Sequence, residues 1–492
     1  MASRSSRATL LLALLATALS AAGWWLGAQL HPIWWVTWLA PLPILWLATR
    51  VRARWAALAT SVAIAIGDLP YWSYTHIGLP ISIVLPLIAI PALILMLAVL
   101  LFRRLTMQKQ YLAAAFAFPV VVVAAYFING LTSVNGTWLD IGYTQMDALP
   151  IVQIAALTGV IGAGFLVMLG PAVAATLCND AASRAARLRV LGFGGGLITL
   201  TLIYGVWRLH AAPADSGAPM KMGLVSLKGP ALVPLDSPKG VQLQQRYIDA
   251  IRKLSARGAQ TVVLPETIWA ANQATIPTLA AQAKHTGIDI ITGLDWHPAT
   301  EPERNASLEF GPHDASPALY RKQHLMPGAQ YTPGNTYTML AGTPRTGMAI
   351  CKDMDFPSIG LNYARRDVQL LLVPASDFNI DGWLHSRMAI MRGIESGFAI
   401  ARAARNGRLT LSDDRGRVVA EASSVHRDAQ LVGTLYLRNT HTLYARWGNW
   451  FGWLDVAALA ALLVLAWSGK RRTKTAKSSS QHSTVITSSL GD

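Results

Sequence analysis

The sequence predicts a polytopic α-helical membrane protein with about eight transmembrane helices and one inserted domain of soluble character. Three observations support this fold class. The chain is 52% hydrophobic and only 14% charged, whereas soluble proteins carry about 25% charged residues. Apolar runs long enough to span a bilayer, which takes about 20 helical residues, recur along the chain. Between the last two of these runs lies a long stretch, residues 212–446, with ordinary soluble composition.

Eight segments are predicted to cross the membrane. In chain order they are 9–30, 33–49, 55–74, 78–102, 111–128, 150–178, 188–208 and 450–468. Several contain proline, which membrane helices tolerate because neighbouring groups satisfy the freed backbone. The chain is therefore expected to divide into four parts. These are a seven-helix membrane domain (1–211), the inserted domain (212–446), an eighth helix (447–469) and a basic, Ser/Thr-rich cytoplasmic tail (470–492).

The formal net charge of +16 is concentrated at the ends of the predicted membrane helices. The clustered cations are Arg4, Arg7, Arg50, Arg52, Arg54, Arg103, Arg104, Lys109, Arg184, Arg187, Arg189, Lys470, Arg471, Arg472, Lys474 and Lys477. The alternate loops, near His31, 68–76 and 129–149, contain no Lys or Arg. Positive residues mark the cytoplasmic side, so the inserted domain is predicted in the periplasm and the protein in the bacterial inner membrane. Nucleic acid is not needed to explain the charge.

The two cysteines, Cys178 and Cys351, are too few for a disulfide framework. No His, Cys or carboxylate cluster has the spacing of metal ligands, so neither a metal nor another cofactor is expected. Cys178 follows a predicted membrane helix on the cytoplasmic side and is interpreted as inert. Cys351 lies in the inserted domain and is the candidate for chemistry.

Three segments of the inserted domain end in chemically useful side chains. A β-branched apolar run, 261–264, leads through proline to Glu266. A short strand gives way to a Gly/Pro-rich loop just after Lys322. A second apolar run, 347–350, leads to Cys351, a polar turn and the start of a helix. Each pattern predicts a strand that delivers one polar side chain at its carboxyl end.

This set of side chains suffices for acyl transfer through a thioester. Backbone N–H groups at a strand-to-helix turn can stabilise a developing oxyanion beside a cysteine. A partly buried carboxylate can act as general base, and a buried lysine can supply positive charge to a tetrahedral intermediate. A Cys-His dyad with His324 or His385 is a weaker alternative, because neither spacing resembles a thiol protease.

The order Glu266, Lys322, Cys351, each after an apolar strand, resembles the nitrilase superfamily. Nearly the whole chain resembles the apolipoprotein N-acyltransferase family, including the segments 136–145, 322–333 and 444–450. In that family a nitrilase domain is inserted between transmembrane helices seven and eight. The resemblance implies that Glu266 is the base, Lys322 the cation that stabilises the intermediate and Cys351 the nucleophile. It also implies an α-β-β-α sandwich for the inserted domain.

The coarse pattern of the inserted domain agrees with that fold. Strands are predicted near 220–227, 261–264, 288–292, 346–350 and 369–373, and helices near 238–257, 357–365 and 383–404. In the last helix Arg392 and Glu395 lie three residues apart, on one face. They are interpreted as a structural ion pair or, by the resemblance, as neighbours of the active site.

The sequence departs from the family pattern close to the expected site. Gln330 stands where the family usually has a glutamate, directly before Tyr331. Lys352 and Asp353 follow the nucleophile where the family usually has tyrosine and glutamate. These four residues and Glu395 are the candidates for substrate binding or support of the catalytic set. Since Glu266, Lys322 and Cys351 themselves match the family pattern, these differences bear on the choice of substrate rather than on the chemistry.

The resemblance implies an N-acyltransferase that moves an acyl chain from a phospholipid to an amine in two half-reactions. The expected acceptor is the N-terminal amine of a lipoprotein, and a monomer in the membrane is expected. Three alternatives remain open at this point. They are acyl transfer to a different acceptor, a membrane-tethered amidase that uses water, and a catalytically silent scaffold, against which the intact Glu-Lys-Cys set argues.

Overall fold

The computed structural model describes the backbone of residues 2–486 and the side chains of residues 7–468. The helices are α1 (Ala2–Gly27), α2 (Leu42–Ala48), α3 (Ala53–Gly67), α4 (Ile81–Met107), α5 (Tyr111–Thr132), α6 (Leu149–Val152), α7 (Ala155–Thr158), α8 (Val160–Leu177), α9 (Arg184–Val190), α10 (Gly196–His210), α11 (Pro238–Ala256), α12 (Pro277–Thr286), α13 (Pro357–Ala364), α14 (Gly382–Ser396), α15 (Leu443–Trp447) and α16 (Trp450–Ile486). The predicted tail, 470–492, has no described side chains, and 487–492 lie outside the described residues altogether.

Among the described residues, all strands belong to the inserted domain. They are β1 (Ala218–Ser226), β2 (Val233–Pro234), β3 (Thr261–Val263), β4 (Trp269–Ala271), β5 (Asp289–Trp296), β6 (Arg304–Phe310), β7 (Ala318–Arg321), β8 (Thr346–Met348), β9 (Leu370–Ser376), β10 (Ala399–Arg405), β11 (Arg408–Ser412), β12 (Val418–Ser423) and β13 (Ala429–Leu437).

Within the described residues, six segments are long and apolar enough to cross a membrane. They are Arg7–Gly27, Ile81–Met107, Tyr111–Thr132, Val160–Leu177, Arg184–His210 and Trp450–Ser468. The predicted span 33–49 is a shorter apolar segment, Val36–Ala48. It consists of a 3₁₀ turn, Val36–Trp38, followed by α2, which has Pro41 as its N-cap and Pro43 in its first turn. In the predicted span 55–74 the α-helix ends at Gly67, and a 3₁₀ helix, Leu69–Ile77, follows it. Proline at residue 70 opens that tighter helix, since it lacks the N–H needed to continue an α-helical ladder.

Close packing between the carboxyl-terminal ends of α1 and α3 places the indole of Trp24 beside the carboxylate of Asp68. A Cβ atom added to Gly67 would lie 2.5 Å from the Cβ of Trp24, so glycine is what lets the two helices approach. Trp24 is buried there, and its Nε1 donates a hydrogen bond of 2.8 Å to Oδ1 of Asp68.

The inserted domain contains two sheets that pack face to face. The larger has the strand order β13-β1-β3-β5-β4-β2, with β6 paired to β5 and β7 to β6. The smaller has the order β12-β11-β10-β9-β8. An apolar cluster lies between them, with Leu224 and Val263 from the larger sheet and Leu372 and Ala401 from the smaller one. The first two core strands, β1 and β3, are parallel and buried, as their apolar sequences predict.

Helices cover the outer face of each sheet. On the larger sheet α11 and α12 bury Tyr247 and Leu279 against strand residues such as Val262. Ser237 caps α11 by accepting a hydrogen bond from the backbone N–H of Gly240. On the smaller sheet α13 and α14 pack with β8, β9 and β10 around Tyr363.

The predicted helix 383–404 is wrong in its second half. Helix α14 ends at Ser396, and Gly397 has a φ of +85°, the left-handed conformation that closes many helices. A Cβ there would lie 2.1 Å from the carbonyl oxygen of Thr440. The next residues form β10, whose Ala-rich sequence has no strong strand propensity but pairs in parallel with β9. Burial between sheet and helix overrides the local preference.

Helix α14 also joins the inserted domain to the membrane helices. Its apolar residues Met388 and Met391 share a buried cluster with Tyr143, Val160 and other residues of the membrane part. Glu395 accepts a 2.6 Å hydrogen bond from the backbone N–H of Val160, at the start of α8. The inserted domain is therefore seated on the helices through one of its own covering helices.

Candidate active site

Glu266, Lys322 and Cys351 each follow a strand, as predicted. Glu266 comes after β3, and its backbone N–H donates to the carbonyl of Ala375 on the smaller sheet, at 3.2 Å. Lys322 comes after β7, and its N–H donates to the carbonyl of Asn305 on β6, at 2.9 Å. Cys351 follows β8 and opens a 3₁₀ turn, Cys351–Asp355. These strand ends meet at one edge of the paired sheets, where the side chains converge.

A buried ion pair forms the centre of the site. The Lys322 Nζ lies 2.6 Å from Oε1 of Glu266, and both side chains are almost fully buried. Nδ2 of Asn305 donates to the same carboxylate oxygen at 2.7 Å. Burial opposes the charge on Lys322, but the negative charge of Glu266 and its hydrogen bond outweigh this effect, so the pKa of the lysine lies above its usual range. The lysine is thus a permanent cation.

Cys351 is held in a strained and shielded position beside this pair. Its φ is +44°, which a residue with a Cβ rarely adopts, and its Sγ contacts the carbonyl oxygen of Ser376 at 3.4 Å. Burial and the negative charge of Glu266 raise the pKa of the Cys351 thiol, and Lys322 offsets them only in part. The resting group is therefore a neutral thiol, whose proton must leave as the sulfur attacks. A neighbouring base is required for that step.

The three side chains line one cavity of about 490 Å³. Its wall is shared between the inserted domain and the membrane part of the chain. The membrane part contributes Gly78, Leu79, Pro80, Ile83, Asn135 and Trp138. The loop after Lys322 contributes Leu325, Met326, Pro327, Ala329 and Tyr331. The chemistry is therefore positioned next to the ends of the long apolar helices that face the inserted domain.

Of the predicted supporting residues, Tyr331 and Lys352 line this cavity. Lys352 is buried, and its Nζ donates to Oδ1 of Asn135 at 2.8 Å and lies 3.6 Å from Oδ2 of Asp355. Burial lowers the pKa of Lys352, and Asp355 partly offsets this effect. The cation that replaces the family tyrosine is thus fixed to a loop of the membrane part.

Asp353 faces away from the cavity and fastens the lysine loop to the cysteine turn. Its Oδ1 accepts from the backbone N–H groups of Gln323 and His324, at 3.2 and 2.8 Å. Its Oδ2 accepts from the hydroxyl of Tyr320 and the N–H of Ile350, at 2.8 and 3.0 Å. These contacts join the segments that carry Lys322 and Cys351, which indicates a positioning role.

Gln330 and Glu395 lie outside the described lining of the cavity. Gln330 is exposed on the loop surface. Glu395 is fully buried at the junction with the membrane helices, where it pairs with Arg392 at 3.1 Å. Burial raises the pKa of Glu395 to about 7, and Arg392 partly opposes the shift. The arrangement agrees with the structural ion pair rather than with contact to a substrate in this cavity.

Two further cavity residues have contacts that the sequence does not predict. Asn305 holds the Glu266 carboxylate, but its segment, β6, is not among the predicted strands. His385 lines the cavity, and its partners are Asp381 at 3.2 Å and Asp355 at 3.8 Å rather than Cys351. Burial opposes protonation, but the two aspartates raise the pKa of His385 to about 10. The imidazole is thus charged at neutral pH and does not act as the base of a Cys-His dyad.

The described residues include no group of three or more His, Cys, Asp or Glu arranged to hold a metal ion. The Cys351 thiol, the Glu266 carboxylate and the Lys322 ammonium are together able to form and break an acyl-cysteine bond.

Comparisons with known proteins match both halves of the chain. Residues 20–173 match the apolipoprotein N-acyltransferase N-terminal domain, and residues 223–446 match the carbon-nitrogen hydrolase family. The apolipoprotein N-acyltransferase of Geobacter metallireducens is 24% identical over 484 residues, covering 88% of this chain and 91% of the relative. That of Nitrosomonas europaea is 27% identical over 501 residues, covering 90% and 95%. This chain belongs to the apolipoprotein N-acyltransferase family.

Solved structures similar to the inserted domain include two members of the nitrilase superfamily. An amidase from Nesterenkonia sp. has 21% sequence identity and a TM-score of 0.39, covering 46% of this chain and 94% of the amidase. Saccharomyces cerevisiae Nit3 has 22% identity and the same TM-score, covering 46% and 93%.

Membership of the apolipoprotein N-acyltransferase family agrees with both parts of the molecule. The N-terminal match contains two of the long apolar helices in full and parts of two others. With six such helices among its described residues, the protein is a multi-pass membrane protein. The carbon-nitrogen hydrolase match contains Glu266, Lys322 and Cys351 in its described cavity. The protein is thus an enzyme of an acyltransferase family in which a nitrilase-like domain is combined with membrane helices.

Proposed function

We propose that the protein is an N-acyltransferase that moves an acyl chain from a phospholipid to an amine through a thioester on Cys351. One observation carries this proposal. The cavity that holds Cys351, Glu266 and Lys322 is also lined by residues at the outer ends of membrane helices, including Pro80 and Ile83. A hydrolase of soluble amides has no need for that wall, whereas an acyl chain of a bilayer lipid can reach it.

In the first half-reaction, Sγ of Cys351 attacks the ester carbonyl of the donor. Glu266 accepts the thiol proton, a C–S bond forms and the ester C–O bond breaks. The proton passes to the leaving alkoxide, so a lysophospholipid departs. Lys322 supplies positive charge to the tetrahedral oxyanion, which is worth most in a water-excluded site.

In the second half-reaction, a neutral amine attacks the thioester carbonyl. Glu266 accepts a proton from the amine nitrogen as the C–N bond forms, and the C–S bond then breaks. The proton returns to the thiolate, which restores the resting thiol. The N-terminal amine of a lipoprotein is the proposed acceptor, because that is the acceptor implied by the name of the curated relatives.

The proposed architecture completes the membrane domain with two shorter crossings. The segments Val36–Ala48 and Ala53–Gly67, the latter extended by the 3₁₀ turns that follow, would make eight crossings with the six long ones. The layers of the inserted domain, helices outside and two sheets inside, support an α-β-β-α sandwich. We propose the parts 1–211, 212–446, 447–469 and 470–492 as domain bounds, and a monomer as the working unit.

The proposed activity is tested with purified full-length protein, a phospholipid donor and a diacylglyceryl-cysteinyl peptide with a free N-terminus. We expect N-acylated peptide and lysophospholipid in equal amounts, measured by mass spectrometry. The Cys351→Ala variant is the control for non-enzymatic transfer. Free fatty acid in place of acylated peptide would instead establish the amidase-like alternative, with water as acceptor. A Cys351 acyl adduct that resolves only with another amine would indicate a different acceptor.

We propose that the inserted domain lies in the periplasm, since the cation-rich short loops share the other side. Ala256, exposed at the end of α11, is a suitable reporter when replaced by cysteine. A membrane-impermeant thiol reagent should label Ala256→Cys in intact spheroplasts. The native Cys178 is exposed at the end of α8 and is an internal control that should react only after lysis. The reverse pattern would overturn this orientation.

A further inference from the structure

A second cavity, of about 300 Å³, adjoins the catalytic one. It lies among the outer ends of α1, α4 and α5 and the loop 133–148. Ile83, Asn135 and Trp138 line both cavities, so they form a common wall. The catalytic steps proposed above use no residue specific to the second cavity.

Two buried aspartates line the second cavity, and each presents one oxygen without a partner. Asp68 is 2% exposed and Asp140 is 3% exposed. Oδ1 of Asp68 accepts from Trp24 Nε1, and Oδ1 of Asp140 accepts from the backbone N–H of Gly142, both at 2.8 Å. Oδ2 of each carboxyl is buried and has no hydrogen-bond partner. One oxygen of each carboxyl is thus anchored and the other is available to a ligand.

The charge around these carboxyls is one-sided. Among the described residues that line the cavity there is no Lys or Arg. Arg392 acts on Asp140 from a distance, but its own contacts are with the hydroxyl of Tyr143 and with Glu395. An ionised carboxylate without a donor is costly in such surroundings, so a ligand that brings N–H donors and positive charge is favoured there.

Aromatic and apolar groups define the rest of that ligand. The rings of Trp24, Tyr71, Tyr126, Trp138 and Tyr143 surround the carboxyl level of the cavity, and aromatic faces attract ammonium groups. Deeper along α4 the lining is apolar, with Pro86, Ile90 and Ile94. Ile90 is also 51% exposed on the outer surface of the helices, so this wall borders the hydrocarbon of the bilayer. The cavity therefore suits a cationic group attached to an acyl-bearing molecule.

We propose that Asp68 and Asp140 form a binding site for the primary ammonium group of an acyl-bearing substrate. The inference rests on the proposed function and deepens it, because both substrates of an N-acyltransferase can carry such a group. The ammonium can belong to an ethanolamine headgroup of the donor or to the N-terminus of the acceptor. In either case the common wall at Asn135, which accepts a hydrogen bond from Lys352, places the second cavity directly beside the cavity of Cys351.

The test measures binding to the full-length Cys351→Ala protein in detergent, so it is independent of turnover. The probes are didecanoyl phosphatidylethanolamine and its N-acetyl derivative, and a diacylglyceryl-cysteinyl peptide with a free or an acetylated N-terminus. Loss of an ammonium hydrogen bonded to a buried carboxylate should weaken binding by about tenfold or more. Preference for the free amine in the lipid pair or in the peptide pair assigns the site to donor or acceptor.

The protein side of the test uses Asp68→Asn and Asp140→Asn in the same background. Each should abolish the preference for the free amine while leaving the affinity for the acetylated probe unchanged within about twofold. Asp455→Asn is the matched control, because Asp455 is 3% exposed with an unpartnered Oδ2 but lies outside the described lining. Equal affinity for free and acetylated probes in both pairs overturns the proposal, even if the aspartate variants do not fold. An effect of Asp455→Asn equal to that of the other two overturns it as well.

Discussion

Replacing Cys351 with alanine is expected to abolish both half-reactions and to remove any covalent acyl adduct. The loss of a nucleophile costs about a millionfold in enzymes that work through a covalent intermediate. No water or neighbouring hydroxyl can substitute for Sγ without losing the thioester that divides the reaction into two easier steps. Intact-protein mass spectrometry after incubation with phospholipid measures the adduct directly, as one added acyl mass on the parent protein.

Alanine is a mild replacement at this position. The φ of +44° at Cys351 is strained for any residue with a Cβ, so alanine inherits the strain and adds none. Since the chain has two cysteines, Cys178→Ala is a matched control that leaves Cys351 as the only thiol. Cys178→Ala should retain the adduct and full activity. An adduct that persists in Cys351→Ala but disappears in Cys178→Ala would identify Cys178 as the nucleophile.

The convergence of Glu266, Lys322 and Cys351 could be expected from sequence for a physical reason. Each follows a short apolar run with strand character, and the strands that deliver them belong to two sheets with a common edge. Local patterns of this kind are set by neighbouring residues and are therefore visible in one dimension. The assignment of a catalytic role to each residue follows from the resemblance to a known family and remains a prediction for this chain.

What could not be predicted depends on contacts between distant segments. Asn305 holds Glu266 across 39 residues, and Asn135 contacts Lys352 across 217. Neither asparagine lies in a motif that local periodicity selects. The sequence leaves Glu395 open between a structural ion pair and support of the active site, and packing of α14 on the start of α8 places it at the domain junction. Such placements follow from tertiary packing, which carries no local sequence signal.

The breaks in the apolar helices could not be predicted for a different reason. Length and hydropathy predict a crossing but do not report where the helix breaks. The apolar segment 33–49 is irregular up to Pro41, the N-cap of α2, and the span predicted near 150–178 is divided into α6, α7 and α8. Gly159, with φ of +77°, allows Tyr444 to approach between α7 and α8, because a Cβ there would lie 2.7 Å from its ring. Broken helices at membrane depth are stable where protein covers the freed backbone groups.

Replacing Glu266 with glutamine is expected to slow formation of the Cys351 adduct by about 10²- to 10⁴-fold, the usual contribution of a general base. The neutral amide cannot accept the thiol proton, and the raised pKa of Cys351 means that little thiolate exists without that transfer. The rate is measured by rapid mixing with phospholipid and mass spectrometry of the adduct. Glu309→Gln, a buried carboxyl on β6 that does not line the cavity, is the matched control and should leave the rate unchanged.

The same substitution also leaves the buried ammonium of Lys322 without its carboxylate. Breaking one half of a buried pair destabilises proteins by about 3–5 kcal/mol, so Glu266→Gln should lower the thermal unfolding midpoint. The double variant Glu266→Gln/Lys322→Met removes both charges and should recover much of that stability while the adduct still forms slowly or not at all. If the double variant recovers stability but not the acylation rate, the slow rate of Glu266→Gln is due to loss of the base and not to loss of stability. A double variant that regains the parental rate, or a Glu266→Gln protein that acylates within about threefold of it, would show that another group takes the proton.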